Sequence, residues 1–390
     1  MDYCRPARHV VESGFEFEKG KTMVRLRIGL VGAGLVGQAE HAFYLWEERD
    51  RFAFVALADA SSTVREAVGV RYRLEKVAPD LKGILTSDLD AVVIAAPDPF
   101  HGDLVVAALE AGLHVMCEKP LALTLSECDR IAAARERSGN VVQVAYMKRF
   151  DPAFRRALDF LPSKIEDVKL IAVEVNDPDQ APFVAHLPMT IPDDIPETLR
   201  ADFRRKNTEQ LRESGRRDLS EIEARALSGG YLSSLVHDVA VVHGMLAHLG
   251  VELPASADAA AIFDEGRGVQ LAFPLPGGGR VSMTHLNLPG VPDYTERVTV
   301  YCTDRIVELT FPSPYLRHFP TKLTVRRLGS GASHELETSE YRVSYEEAFR
   351  EELRAFYAAA THQAPVQTTI AQARRDIELL TSAFRKAVNA

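Results

Sequence analysis

The stretch Arg25–Gly37, RLRIGLVGAGLVG, limits the possible folds more than any other part of this chain. A continuous run of apolar or small residues, Ile28 to Gly32, passes directly into Gly32-Ala33-Gly34-Leu35-Val36-Gly37, and a helical pattern follows at once. Such a run is how a buried parallel strand reads, and a glycine-rich turn opening a helix is how a dinucleotide site begins. Each glycine has its own reason to be there. Gly32 permits the tight turn, Gly34 lets the backbone approach a pyrophosphate, and Gly37 lets the helix pack on the strand. The helix start then offers free N–H groups and a positive dipole end to an anion. A second apolar run, Phe52 to Ala58, ends in Asp59, 22 residues beyond Gly37, where a carboxylate can take the hydroxyls of an adenosine ribose. With Leu35 and Val36, these residues form the expected cofactor cradle. The carboxylate favours NAD over NADP because it repels a 2′-phosphate, while Ser61, Ser62 and Arg65 stand close enough to leave NADP open.

At 390 residues two domains are expected. A net charge of −9 argues against a nucleic-acid partner and gives no pull towards an anionic membrane. The longest apolar stretches, such as Ala91–Ala96, are too short to span a bilayer. Residues 1–24 carry Arg5, Arg8, Glu12, Glu16 and Glu18 with no apolar core, so they read as an extension rather than a signal peptide, and Met23 is an alternative start. Cys4, Cys117, Cys128 and Cys302 are scattered and lack CxxC spacing. That predicts reduced thiols in a cytoplasmic protein, with neither a disulfide framework nor a metal site.

Strands alternate with helices from residue 25 to 147. Phe52–Asp59, Asp90–Ala96, His114–Cys117 and Val141–Ala145 read as strands, and Asp103–Ala111 and Thr124–Arg137 as helices. This predicts a doubly wound parallel sheet, a Rossmann domain whose ligands sit beyond the carboxyl ends of the strands. Pro97, Asp98, His101, Glu118 and Lys119 all follow strand ends and should meet in one crevice with the glycine turn. Lys119, held by Pro120 in an extended backbone, is the first catalytic candidate, because an ammonium polarises a carbonyl or stabilises an alkoxide.

Residues 148–390 read as an α+β substrate and oligomerisation domain with a large, mostly antiparallel sheet. Its strands are expected at Lys169–Asn176, then near Ala259–Phe263, Val269–Phe273, Arg280–Leu288, Glu296–Cys302, Arg305–Phe311 and Lys322–Arg327. Pro178–Pro196 is a proline-rich loop, Glu197–Ala226 a charged and solvated helical stretch, and Tyr231–Leu249 an apolar helix. Two helices, about Ser344–His362 and Thr368–Asn389, close the chain. One sheet face needs helices over it, leaving the other for a second subunit, so a dimer or tetramer is expected.

Gly32–Gly37, Asp59, Ala96-Pro97-Asp98 with His101, and Glu118-Lys119-Pro120 resemble the glucose–fructose oxidoreductase / inositol dehydrogenase (Gfo/Idh/MocA) family. Met147-Lys148-Arg149-Phe150-Asp151-Pro152 is similar to its segment crossing into the second domain. The resemblance runs from about Arg25 to the C-terminus and is weak between about Pro178 and Leu227. It implies an NAD(P)-dependent dehydrogenase acting on a secondary alcohol of a sugar or cyclitol. It also implies a histidine that accepts the hydroxyl proton, His237, four residues after a position the family fills with Asp and this chain with Ser233. Asp98 likewise stands where the family has Asn. Lys119, His237 and Ser233 are thus the expected catalytic set, with Tyr146, Asn176 and Tyr294 as further pocket residues. The missing helix carboxylate keeps two alternatives open, an NAD-binding sensor of the same fold and an NAD-dependent glycosidase.

Overall fold

The computed structural model describes residues 24–329 and 334–389. The expected 1–24 extension therefore lies outside the described residues apart from Val24, as does Cys4. Six strands form a parallel sheet: β1 (Leu26–Val31), β2 (Phe52–Ala58), β3 (Lys76–Ala78), β4 (Ala91–Ile94), β5 (His114–Glu118) and β6 (Val142–Ala145). Their order 3-2-1-4-5-6 reverses between β1 and β4, which opens a crevice at the carboxyl ends of those two strands. β2 and β4 are apolar throughout because both faces are covered. β4 reads Ala-Val-Val-Ile and is buried at every position. The short β3 has no apolar run and was not expected from sequence.

Eight strands form the second sheet: β7 (Val168–Asp177), β8 (Ala259–Phe263), β9 (Gly268–Pro274), β10 (Arg280–Asn287), β11 (Thr295–Cys302), β12 (Arg305–Phe311), β13 (Lys322–Leu328) and β14 (Leu336–Arg342). The order is 14-13-12-11-7-10-9-8, and only the β7–β10 pair is parallel. Alternation sets its faces. Val173, Val175, Met283, Val298, Val300 and Leu309 point to the helical side and are buried. The opposite face carries Leu170, Glu174, Thr284, Arg297 and Tyr301, which are half-buried or exposed.

The expected apolar helix is two pieces. Ala226–Leu235 winds as a π-helix and Val236–His248 continues as an α-helix. The charged stretch is also broken, into Glu197–Ser214 and Glu221–Arg225. The first of these helices is solvated on one side, with Arg205 paired to Asp202 and Glu209. Its other side is pinned to the first sheet's helices, which corrects the reading as a wholly solvated element: Lys206 pairs with Asp103, and Gln210 donates to the Pro99 carbonyl at 3.0 Å and to Glu127 at 2.9 Å. Polar pegs of this kind leave no apolar stripe for a sequence to show.

The closing helices, Ala348–Ala360 and Ile370–Val388, tie the two sheets together. Phe349, Leu353, Phe356 and Tyr357 share one apolar cluster with Ile28, Leu30, Phe52 and Leu57 of the parallel sheet. Among the described residues no helix is long and apolar enough to cross a membrane.

Candidate active site

The glycine turn has the geometry its spacing predicts. Gly32 has φ +90°, and a Cβ there would lie 2.5 Å from the Ala95 carbonyl oxygen on β4's exit. A Cβ on Gly37 would lie 2.5 Å from the Gly32 carbonyl oxygen, so the first helical turn can seat on the strand end only without one. Gly34 is the opposite case: a Cβ would meet nothing within 4 Å. It is exposed, at the crevice between β1 and β4. Asp59 Oδ2 accepts the Ala33 N–H at 2.7 Å and Oδ1 the Ser61 N–H at 2.8 Å. The carboxylate therefore ties the end of β2 to the glycine turn and still has lone pairs for a ribose. A bare backbone at Gly34 and a carboxylate beside it fit a dinucleotide.

Two of the expected cofactor residues turn inward instead. His101 is fully buried, with Nδ1 2.8 Å from the Pro120 carbonyl and Nε2 2.7 Å from the Ala96 carbonyl. Two carbonyl acceptors require both nitrogens to donate, which is the imidazolium form. Burial opposes that charge, but the Cys117 sulfur, Asp98 and the Pro120 carbonyl outweigh it and raise the pKa to about 10. His101 braces the turns after β4 and β5 rather than facing the crevice. Glu118 is also buried; Oε1 pairs with His41 Nε2 at 2.8 Å and Oε2 accepts the Lys119 N–H at 3.1 Å. It clamps β5 to the helix that follows the glycine turn. Pro97 and Asp98 stay at the mouth, exposed and half-buried respectively.

Lys119, Ser233 and His237 do converge. All three line one cavity of about 340 Å³ between the sheets. Lys119 Nζ donates to the Ser233 backbone carbonyl at 3.0 Å. Ser233 thus meets the lysine through its main chain, inside the π-helical segment, a geometry that recurs at functional sites. His237 Nδ1 is buried without a hydrogen-bond partner among the described residues. Burial first, and then the charges of Lys119 and Lys148, hold its pKa well below the ordinary histidine value. The imidazole is therefore neutral, able to take a proton.

A second group at the cavity was not singled out as a site. Lys148 Nζ pairs with Glu296, and the Tyr294 hydroxyl donates to the same carboxylate. Both Lys148 and Tyr294 line the cavity, and Glu296 is fully buried behind them. Asp238, buried on the adjacent helix, has its pKa raised by burial and by Glu296. Tyr294 is where sequence position put it. Tyr146 and Asn176 are not: Tyr146 is buried in the core, and the Asn176 amide donates to the Asp293 carbonyl. Lys148 was within reach of the sequence, because it sits in the MKRFDP segment; Glu296 gave no signal before the fold joined it to Lys148.

Residues 26–146 match the family described as "Oxidoreductase family, NAD-binding Rossmann fold". Inositol 2-dehydrogenase of Acidothermus cellulolyticus is 40% identical over 131 residues, which is 33% of this chain and 38% of that protein. The sequence match thus spans about two-fifths of the length of this curated relative. Solved structures match along nearly the whole chain. Scyllo-inositol dehydrogenase of Lactobacillus casei, with bound NAD(H) and scyllo-inositol, superposes with a TM-score of 0.65 at 18% identity, covering 94% of this chain and 98% of that one. UDP-N-acetylglucosamine 3-dehydrogenase of Acidithiobacillus ferrooxidans gives 0.66 at 17% identity, covering 94% and 98%. At these identities the structures establish a common fold. With the glycine turn and the strand order, the match identifies residues 26–146 as an NAD-binding Rossmann domain of the Gfo/Idh/MocA oxidoreductase type.

Proposed function

We propose that the protein is a dehydrogenase that oxidises a secondary alcohol of a sugar or cyclitol with NAD. The observation that carries this reading is the convergence on one cavity of a neutral His237 and of Lys119, which leaves the carboxyl end of β5 in the same sheet whose β1 ends in the glycine turn. A bound nicotinamide dinucleotide would supply the hydride acceptor, held by Gly32, Gly34, Leu35, Val36, Gly37 and Asp59, with Pro97 and Asp98 at the mouth. Lys119 steadies the negative charge that grows on the substrate oxygen, and His237 takes the hydroxyl proton. The π-helical turn presents the Ser233 carbonyl that holds Lys119 Nζ at the cavity. Relatives named as inositol 2-dehydrogenases over residues of the nucleotide domain support the cyclitol class. The proposal extends to a cytoplasmic protein and to a second copy of this chain on the open face of the large sheet. Light scattering should then give at least twice 43.1 kDa.

The test is the absorbance of NADH formed from NAD with a panel of inositols, sugars and sugar acids. Turnover is expected with at least one polyol, and Lys119→Ala should lower kcat by about two to three orders of magnitude, the contribution of one such electrostatic group. Full turnover in Lys119→Ala would sink the mechanism. Tight NADH binding with no turnover on any substrate would instead favour a sensor, and glycoside cleavage without NADH a glycosidase.

A further inference from the structure

The loop after β7 does more than roof the substrate cavity. Gln180, near its start, lines that cavity. Ten residues on, the chain has crossed to the nucleotide domain: the Gln38 amide donates to the Thr190 carbonyl at 2.9 Å while its own oxygen accepts the Thr190 N–H at 2.9 Å. Gln38 is buried immediately after Gly37, so this reciprocal pair pegs the strap beside the glycine turn. Four residues further, Asp194 reaches the start of the Ser62–Tyr72 helix. Its Oδ2 accepts the Ser62 N–H at 2.8 Å, the Thr63 N–H at 3.2 Å and the Ser62 hydroxyl, and its Oδ1 accepts the Ser61 hydroxyl. Asp193 accepts the Thr63 hydroxyl at 2.9 Å.

We infer that Asp194 is a specificity residue: its carboxylate occupies the place that the 2′-phosphate of NADP would need. This rests on the dinucleotide reading above. In that reading Asp59 takes the ribose, and because its Oδ1 also accepts the Ser61 N–H at 2.8 Å, the donors of Ser61, Ser62 and Thr63 lie beside any 2′-substituent. Two hydroxyls and two backbone N–H groups at a helix start are good phosphate ligands. Here all of them are spent on a carboxylate from the other half of the chain. Arg65, a cation on the same helix, has its Nη1 on the Asp59 and Ala60 carbonyls at 3.3 and 3.1 Å. The hydroxyls of Ser61 and then Ser62 hold the Asp194 carboxyl well below the usual carboxylate range, so it stays charged. A 2′-phosphate would have to displace Asp194 or lie against Asp59, Asp193 and Asp194 together. A 2′-hydroxyl can donate to the same oxygens. Without Asp194, these donors would instead welcome the phosphate.

The experiment is titration of the full-length protein with NADH and with NADPH, following nicotinamide fluorescence, for the native sequence, Asp194→Asn and Asp194→Ala. The native protein should bind NADH more tightly. Both variants should bring the two dissociation constants at least tenfold closer, mainly by tightening NADPH, and Asp193→Asn should have a smaller effect. Thermal melts confirm that the variants fold, and Asp194→Asn keeps the size and part of the hydrogen bonding if Asp194→Ala loosens the strap. An unchanged ratio, or an equal weakening of both dinucleotides, would overturn the inference and leave Asp194 a structural clamp. A native protein that binds neither dinucleotide would remove the cofactor reading and the inference with it. A ratio that shifts as expected in a protein that oxidises no polyol supports the inference and defeats only the dehydrogenase reading.

Discussion

His237 lies in the field of two ammonium groups, those of Lys119 and Lys148, and its own ring is buried with Nδ1 unpaired. Burial and both charges act in the same direction, against protonation. The neutral base therefore persists as the pH falls through the usual histidine range, and protonation sets in only well below about 6.5. The acid limb of kcat/KM for alcohol oxidation should accordingly fall below pH 6.5. His237→Ala should remove that limb and cost about a hundredfold or more in rate. A limb at or above 6.5 would mean that the imidazole is not the proton acceptor. The glycine turn and Lys119 were expected from local patterns, GxGxxG and a lysine between a buried strand and a proline, whereas His237 was expected only through the family resemblance, since two other histidines share its helix. Glu296 was not expected, since 148 residues of chain separate it from Lys148 and its flanking sequence does not mark the pairing. His101 and Glu118 show the converse limit. Their position at strand ends was read correctly, but which way a side chain turns depends on neighbours such as Pro120 and His41 that spacing does not reveal.

At the scale of elements, buried strands announce themselves and polar attachments do not. β1, β2, β4, β5 and β6 are apolar on both faces and were legible almost to the residue, as were β7 to β13 by alternation. β14, Leu-Glu-Thr-Ser-Glu-Tyr-Arg, buries none of its side chains and escaped notice. So did the strap's anchorage, made by Thr190 and Asp194 rather than by any apolar residue. The junction of β1 with its helix is the element on which the cofactor reading depends. A Cβ at Gly37 would meet the Gly32 carbonyl oxygen at 2.5 Å, backbone against backbone, with no flexible side chain to yield. Gly37→Ala should therefore push the helix off the strand, destabilise the protein by about 1–3 kcal/mol and weaken NADH binding at least tenfold. Gly34→Ala has open space for its methyl in the free protein, so its melting temperature should barely move while NADH binding weakens. Equal melting temperatures for native and Gly37→Ala proteins would show that the junction relaxes without strain.

The molecule as a whole is closed by its last two helices, and this is where the two sheets become one cooperative structure. Phe356 is fully buried against the parallel sheet although it lies more than 200 residues beyond β6. Around it the ties are polar as well: the Gln143 amide donates to the Glu352 carbonyl at 3.0 Å, Thr368 donates to the Val144 carbonyl at 2.7 Å, and Arg354 Nη2 pairs with Glu48 at 2.9 Å. The Ile370–Val388 helix meanwhile packs Ala373, Ile377, Leu380 and Phe384 into the larger cluster, which spans both sheets. Neither sheet keeps its core without these helices, so the halves should unfold together. The single tryptophan, Trp46, belongs to the nucleotide domain, and far-UV circular dichroism reports both halves. The two signals should therefore trace one transition in urea. Phe356→Ala removes a ring from the shared cluster and should lower stability by about 3–5 kcal/mol. The variant's two signals should move to lower urea together, because the ring fastens a helix of the second half to the parallel sheet. A tryptophan transition that separates from the dichroism transition, in the native protein or the variant, would show that the parallel sheet stands or falls alone.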